Sequence, residues 1–409
     1  MSKLTPTTLG KITVSIYDGK HGDCEDQAGS GCYFISVKDL REYDIDYSNA
    51  REITLSDFRQ NYTRTSLENG DTIYANTGDT IGKSLFVKDN PLVYKTSFQK
   101  SVAILKPNTD YVEPRYLYYL MKYETPRLRQ ASTGSGQKNL LLSTMREFET
   151  SIHDRDAQKK IVSVLGCIDD KIRCNNRIND NLEQQAKLLY DYWFAQFDFP
   201  NENGQPYRTA GGQMEWNDIL KRHIPVGWQV KSLAELMKKN TTVFDYASTQ
   251  PAIDLSVMPS GSIALSQLNT SDNFTTNLYE MRKGDILFGS IRPYLHKAGF
   301  APCDGVVAGT VHSYRVKNAD EYNFALITVT RDSFYDYAVN VSSGTKMPVV
   351  SSESILAYKV PYNSKVIKQF NDFAFMETIA SNIQENQRLM ALRDWLLPML
   401  MNGQATVSD

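Results

Sequence analysis

Apolar and polar positions along the chain follow two rhythms in turn, and the pair of rhythms occurs twice. Up to about residue 150, short β-prone runs alternate with Gly, Asn, Asp and Pro, as in Cys32-Tyr33-Phe34-Ile35-Ser36-Val37 and Ser101-Val102-Ala103-Ile104-Leu105. This is the pattern of short strands joined by turns. Glu113-Pro114-Arg115 then opens a short helix with proline near its start, where the missing N–H costs nothing. Over 154–197 apolar residues recur at alternating four and three: Ile161, Leu165, Ile168, Ile172, then Asn175 and Asn179, then Leu182, Ala186, Leu189 and Trp193. That is a heptad seam interrupted by two asparagines, which cost stability but fix register. About 40 helical residues span roughly 60 Å, and a narrow apolar stripe on so long a helix needs a partner helix.

A polar stretch with Pro200, Gly204, Pro206 and Gly211-Gly212 ends this helix and reads as a linker. A second mixed segment begins near Pro225-Val226-Gly227-Trp228 and ends near Tyr362. A second long helix is predicted over 364–401, with Met376, Ile379, Ile383 and Met390 on one face, Asn386 between them, and Gly403 as its stop. Short motifs recur in order between the halves. Glu68-Asn69-Gly70-Asp71-Thr72-Ile73 matches Arg282-Lys283-Gly284-Asp285-Ile286-Leu287, and Ser132 to Lys138 matches Ser342 to Lys346. Leu189-Tyr190-Asp191-Tyr192-Trp193 matches Leu392-Arg393-Asp394-Trp395-Leu396. Repetition at so long a period means duplicated domains, not a solenoid. The expected fold is α+β, with two similar strand-rich domains over 1–152 and 225–363. Long helices follow at 153–199 and 364–403, and a linker lies at 200–224.

Composition narrows the class. The 409 residues suffice for two domains, and 41% apolar with 22% charged residues is ordinary for a globular protein. No apolar run reaches the 18 or so residues of a membrane span, and Met1-Ser2-Lys3-Leu4-Thr5-Pro6 is not a secretory signal. Five cysteines, odd in number and without zinc spacing, read as reduced thiols of a cytoplasmic protein. The net charge of −2 is not that of an isolated nucleic-acid binder. Charge is uneven, however: residues 95–146 hold nine basic and three acidic side chains.

No catalytic centre or metal site emerges. Thr77-Gly78-Asp79-Thr80-Ile81-Gly82-Lys83-Ser84 imitates a phosphate-binding loop, but Thr77 stands where the first glycine belongs, and a strand, Leu85-Phe86-Val87, follows where a helix is needed. A hairpin with a polar and basic tip, offering Thr77, Lys83 and Ser84, is expected instead. The five histidines lack metal-binding spacing. There is no Gly-x-Ser-x-Gly elbow, and no Asn/Asp-Pro-Pro-aromatic tetrapeptide or Gly-rich cofactor loop of an adenine methylase. Two loops have side chains suited to base edges and phosphates. One carries Ser135, Gln137, Lys138 and Asn139, with Thr345 and Lys346 at the matching place of the second half. The other is the turn Arg292-Pro293-Tyr294-Leu295-His296-Lys297, with Arg292, Tyr294, His296 and Lys297 as candidates. Lys95 and Lys100 begin the basic stretch.

Taken together the chain resembles the specificity subunits of type I restriction–modification systems. The matching features are Asp18-Gly19-Lys20-His21 followed by Gly31-Cys32-Tyr33-Phe34-Ile35 and Asp39-Leu40, Gly70-Asp71-Thr72-Ile73 leading to Gly82-Lys83, and Gly284-Asp285-Ile286-Leu287 leading to Arg292-Pro293. Leu182 to Phe197 and Ile224-Pro225-Val226-Gly227-Trp228 resemble the inter-domain helix and the start of the second domain. The second half departs from the pattern, with Lys238-Lys239-Asn240-Thr241-Thr242 in place of an Asp-Gly-x-His opening. The resemblance adds Lys20 and His21 to the DNA-facing candidates. It implies two target-recognition domains, each reading half of an interrupted double-stranded DNA site, and an antiparallel pair of helices as the ruler between them. It also implies two methyltransferase subunits that bring S-adenosylmethionine, a motor-nuclease restriction subunit, and no cofactor on this chain. A coiled-coil adaptor that joins proteins without touching DNA is the alternative.

Overall fold

A computed structural model describes residues 4–134, 138–245 and 248–407. The chain divides into two compact units, Met1–Arg173 with Leu389–Asp409, and Cys174–Arg388. Each unit therefore contains one strand-rich domain and a part of both long helices.

In the first unit an antiparallel sheet runs in the order Thr13–Asp18, Val102–Pro107, Thr72–Ala75, Ser84–Phe86. Its alternating side chains fill two cores, as the two-residue period of a strand requires. Ile16, Tyr74, Ala103 and Leu105 pack on the helix Pro114–Gln130. Ile73, Ala75, Leu85, Val102 and Ile104 pack on the opposite side with Ile35, Val37 and Phe98. A smaller sheet joins Arg51–Glu52, Tyr33–Ile35 and Thr96–Phe98. Thr5–Thr8 pairs with Glu149–Ile152 just ahead of the long helix.

The second unit repeats the plan. Its sheet runs Met237–Lys239, Val311–Val316, Ile286–Gly289, Ala298–Phe300, and Gln229–Ser232 pairs with Lys359–Tyr362 ahead of the second helix. The recurring Gly-Asp has one role in both copies. Asp71 and Asp285 are each 2% exposed. Each accepts from the backbone N–H three residues earlier, of Glu68 and Arg282, at 2.8 Å. Each also meets a cation from the neighbouring strand, Lys106 at 2.9 Å and Arg315 at 2.7 Å. Burial nevertheless raises the Asp71 pKa above its ordinary value.

The first long helix is regular over Arg155–Tyr190 and then widens into a π-helical turn at Asp191–Ala195. The wide turn lets Trp193 and Phe194 both face the core, with Tyr190, Phe324 and Phe370 around them. The continuous second helix expected over 364–401 is instead two, Ser364–Asn371 and Phe375–Met401. Asn323 accounts for the break. Its side-chain amide donates to the carbonyls of Asn371 and Phe373 at 3.3 and 2.9 Å, replacing intrahelical partners.

The helices pair within each unit. In the first, Ile161 and Leu165 share a core with Leu396, Leu397, Leu400 and Met401. Asp169, 2% exposed, accepts from Tyr119 at 2.6 Å and from Arg393 at 3.1 Å. In the second, Ala186, Tyr190 and Trp193 pack with Met376, Ile379 and Ile383, and Leu182 and Leu189 flank them. Early residues of one helix thus meet late residues of the other, the antiparallel arrangement. Ile168 and Ile172 are buried, and Met390 is half-buried. The seam asparagines bond across the pair: Asn175 to Asn386 at 2.9 Å, Asn386 to Asn176 at 2.8 Å and Asn382 to Asn179 at 2.8 Å. No described helix is long and apolar enough to cross a membrane.

Candidate nucleic-acid interface

In the first unit four chain segments meet along one rim, held by backbone hydrogen bonds. The hairpin of Thr72–Ala75 and Ser84–Phe86 turns over at Gly78–Thr80. Gly78 donates to Lys138 at 2.7 Å, and Leu140 donates to Asn76 at 2.8 Å. Thr133 and Asn139 exchange two bonds, at 3.0 and 2.7 Å. On the other flank Asn76 donates to Ser101 at 3.1 Å, and Lys100 donates to Lys20, also at 3.1 Å. The sequence-nominated loops around Lys20, Lys100, Thr77 and Asn139 are therefore adjacent.

The second unit builds the same frame. Arg292 donates to Pro348 at 2.7 Å, Val350 to Ser290 at 2.9 Å, and Ser343 and Val349 exchange two bonds at 2.9 Å. Isolated bridges pair Thr77 and Thr133 with Asn139 in one copy, and Ile291 and Ser343 with Val349 in the other. Two loops clamped by the same bonds in two copies are a built platform for side chains, and rigid support of this kind is what recognition requires.

The nominated side chains divide by environment. Lys95, Lys100, Lys138, Asn139, Arg292, Tyr294, Thr345 and Lys346 are exposed. His21 is exposed and lies 2.9 Å from Asp18, whereas Lys20 is half-buried and paired with Asp57 at 3.1 Å. Thr77 is half-buried beside Asn139. Ser84 is buried in its strand. Lys83 and Lys297 are equivalents that point inward: Lys83 donates to the Val37 carbonyl at 3.1 Å, and Lys297 donates to that of Leu255 at 2.5 Å. Burial lowers the pKa of both. Ser135 and Gln137 lie outside the described residues.

Most of the basic stretch is consumed internally. Lys106 meets Asp71, Arg115 meets Asp170, Arg127 meets Glu124 and Lys122 meets Glu42. Arg129 donates to the Ile81 carbonyl under the hairpin tip, and Arg146 donates to Ile16. The side-chain ammonium groups of Lys95, Lys100 and Lys138 are left without a hydrogen-bonded or ion-pair partner among the described residues. The usable positive charge is thus concentrated in three lysines, which the linear count does not reveal.

The frames differ at two left-handed positions. In the first domain these are Gly78 (φ 67°) and Gly82 (φ 97°). In the second they are Arg292 and His296, both at φ 52°, where a residue with a Cβ costs about 1–2 kcal/mol. A Cβ on Gly82 would lie 2.3 Å from Thr125. At the matching place in the second unit stands Tyr335, and His296 stacks on it with centroids 4.2 Å apart and Asp332 3.5 Å away. Neither Tyr335 nor Asp332 carried a signal in the sequence. Among the described residues no group of three or more His, Cys, Asp or Glu could hold a metal ion.

Comparison with known proteins bears on the family and the fold. Residues 27–184 match the family described as the type I restriction modification DNA specificity domain. The chain is 24% identical to the type I restriction enzyme MjaIX specificity subunit of Methanocaldococcus jannaschii, covering 93% of this chain and 88% of that one. It is 23% identical to the HindI specificity subunit of Haemophilus influenzae, over 83% and 87%. Its fold is that of the type I restriction–modification S subunit of M. genitalium in its crystal structure, with a TM-score of 0.53 at 13% identity over 98% of this chain and 96% of that one. The family match ends at residue 184, whereas the two relatives extend over the second domain as well, in which the frame repeats.

Proposed function

From the premise that this chain belongs to the specificity subunits of type I restriction–modification systems, and is a DNA-recognition subunit and not a catalytic one, we propose that it reads an interrupted double-stranded site, one half with each domain. The observation that carries this is the pair of loops clamped by the same backbone bonds in both units. The adaptor alternative falls with membership of the family. In this reading Lys95, Lys100 and Lys138 hold phosphates, and His21, Asn139, Thr345 and Lys346 lie at or near bases, together with Ser135 and Gln137 of the same loop. The half-buried Lys83 and Lys297 and the buried Ser84 brace the tips from inside.

A type I specificity subunit acts within a multi-subunit complex on DNA. The finer assembly we propose is two methyltransferase subunits around this chain, which bring S-adenosylmethionine and modify adenine, with motor-nuclease subunits joining for cleavage in the cytoplasm. The chain itself binds no cofactor, and its helices keep the two halves of the site at a fixed distance. Methylome sequencing of cells that carry the chain with its modification subunit tests this. The expected result is one motif of two short halves around an unread spacer, with no methyl transfer by the chain alone. An uninterrupted motif, or transfer by the purified chain, would contradict it.

A further inference from the structure

The exchange of glycine for arginine at one left-handed position is not explained by packing. Gly78 of the first domain has its counterpart in Arg292. His296, in the same backbone conformation, is compensated by its stack on Tyr335 and by Asp332. Arg292 has no such compensation. It is exposed, and among the described residues its guanidinium has no hydrogen-bonded or ion-pair partner. Strain retained without a structural return points to function.

The backbone that carries Arg292 is fixed on both sides. Its N–H donates to Pro348 at 2.7 Å, its carbonyl accepts from Leu295 at 2.9 Å, and Pro293 restricts the next φ. A phosphate contact needs only charge within reach and tolerates displacement. A bidentate contact to a base edge needs a fixed origin, and the planar guanidinium matches the O6 and N7 acceptors of guanine in the major groove. We infer that Arg292 reads a guanine in the half-site of the second domain, a contact the first domain lacks because Gly78 has no side chain. The inference rests on the two-half reading above.

The test uses the chain complexed with its modification subunit and duplexes carrying the methylated motif. In the wild type, 7-deazaguanine, which removes N7, should weaken binding at one guanine of one half. In Arg292→Gly that sensitivity should vanish, with roughly ten- to hundred-fold loss of discrimination at that position and the other half unchanged. Relief of strain should raise the unfolding temperature by about 2–4 °C. Arg292→Lys should keep the salt dependence and lose the discrimination. Equal weakening of Arg292→Gly on every duplex, with the log–log salt slope shallower by about one, would show a phosphate contact and overturn the inference. So would retained discrimination, or a lower unfolding temperature. A wild-type complex that prefers no duplex would overturn the two-half reading itself.

Discussion

Lysines that look alike in the sequence separate into two groups once their surroundings are known. Lys83 and Lys297 donate to main-chain carbonyls inside their domains, whereas Lys95, Lys100 and Lys138 project into solvent. Replacing those three together with alanine should weaken binding to all duplexes alike and shallow the log–log salt slope by about 3, since each phosphate contact releases nearly one counterion. An unchanged slope would show that they face protein or solvent in the complex. Lys83→Ala should leave the slope alone and cost about 1 kcal/mol of stability through the unsatisfied Val37 carbonyl, read by thermal unfolding. A shallower slope for Lys83→Ala would return that ammonium to the DNA. The sequence could nominate these residues because each lies in a turn or in the basic stretch. It could not tell an inward lysine from an outward one, because that depends on Val37 and Leu255, more than 40 residues away in sequence.

Elements were more legible than side-chain roles. A seam of alternating four and three positions and two β-rich segments follow from residue periodicity, and two paired helices and two strand-rich domains stand in the structure. The break at residues 372–374 was not legible, because its cause is Asn323, remote in sequence. The π-helical turn likewise depends on Phe324 and Phe370, which crowd around Trp193 and Phe194. The buried asparagine layer was legible as seam positions, and its bonds give it a measurable cost. Asn386→Ala would remove one of the two acceptors of the Asn175 amide, which keeps Glu385, and the donor to Asn176, and should destabilise by about 1 kcal/mol. Replacing Asn175, Asn179, Asn382 and Asn386 together with leucine should instead raise the unfolding temperature, since a fully apolar seam avoids desolvating amides. Destabilisation by the fourfold leucine variant would mean that the polar layer also holds the pair together.

At the scale of the molecule, duplication does most of the explaining. One domain plan, used twice, gives two loops with a common frame and different side chains, so that, in the proposed reading, each half of a DNA target can change alone. The family match over residues 27–184 covers only the first copy, and the second repeats its frame in Asp71 and Asp285, Lys83 and Lys297, and the paired loop bridges. If two domains read two half-sites whose separation the helices set, lengthening both helices should move the half-sites apart. The most direct measurement is methylome sequencing of a variant with four residues inserted after both Arg173 and Arg388, where the chain passes between its compact units. Four residues in each helix add about 6 Å and shift the seam by little more than one turn, against about 3.4 Å per base pair. The expected motif has the same two halves and a spacer longer by one or two base pairs; methylation at the original spacing, or at altered half-site sequences, would show that the helices do not set the distance.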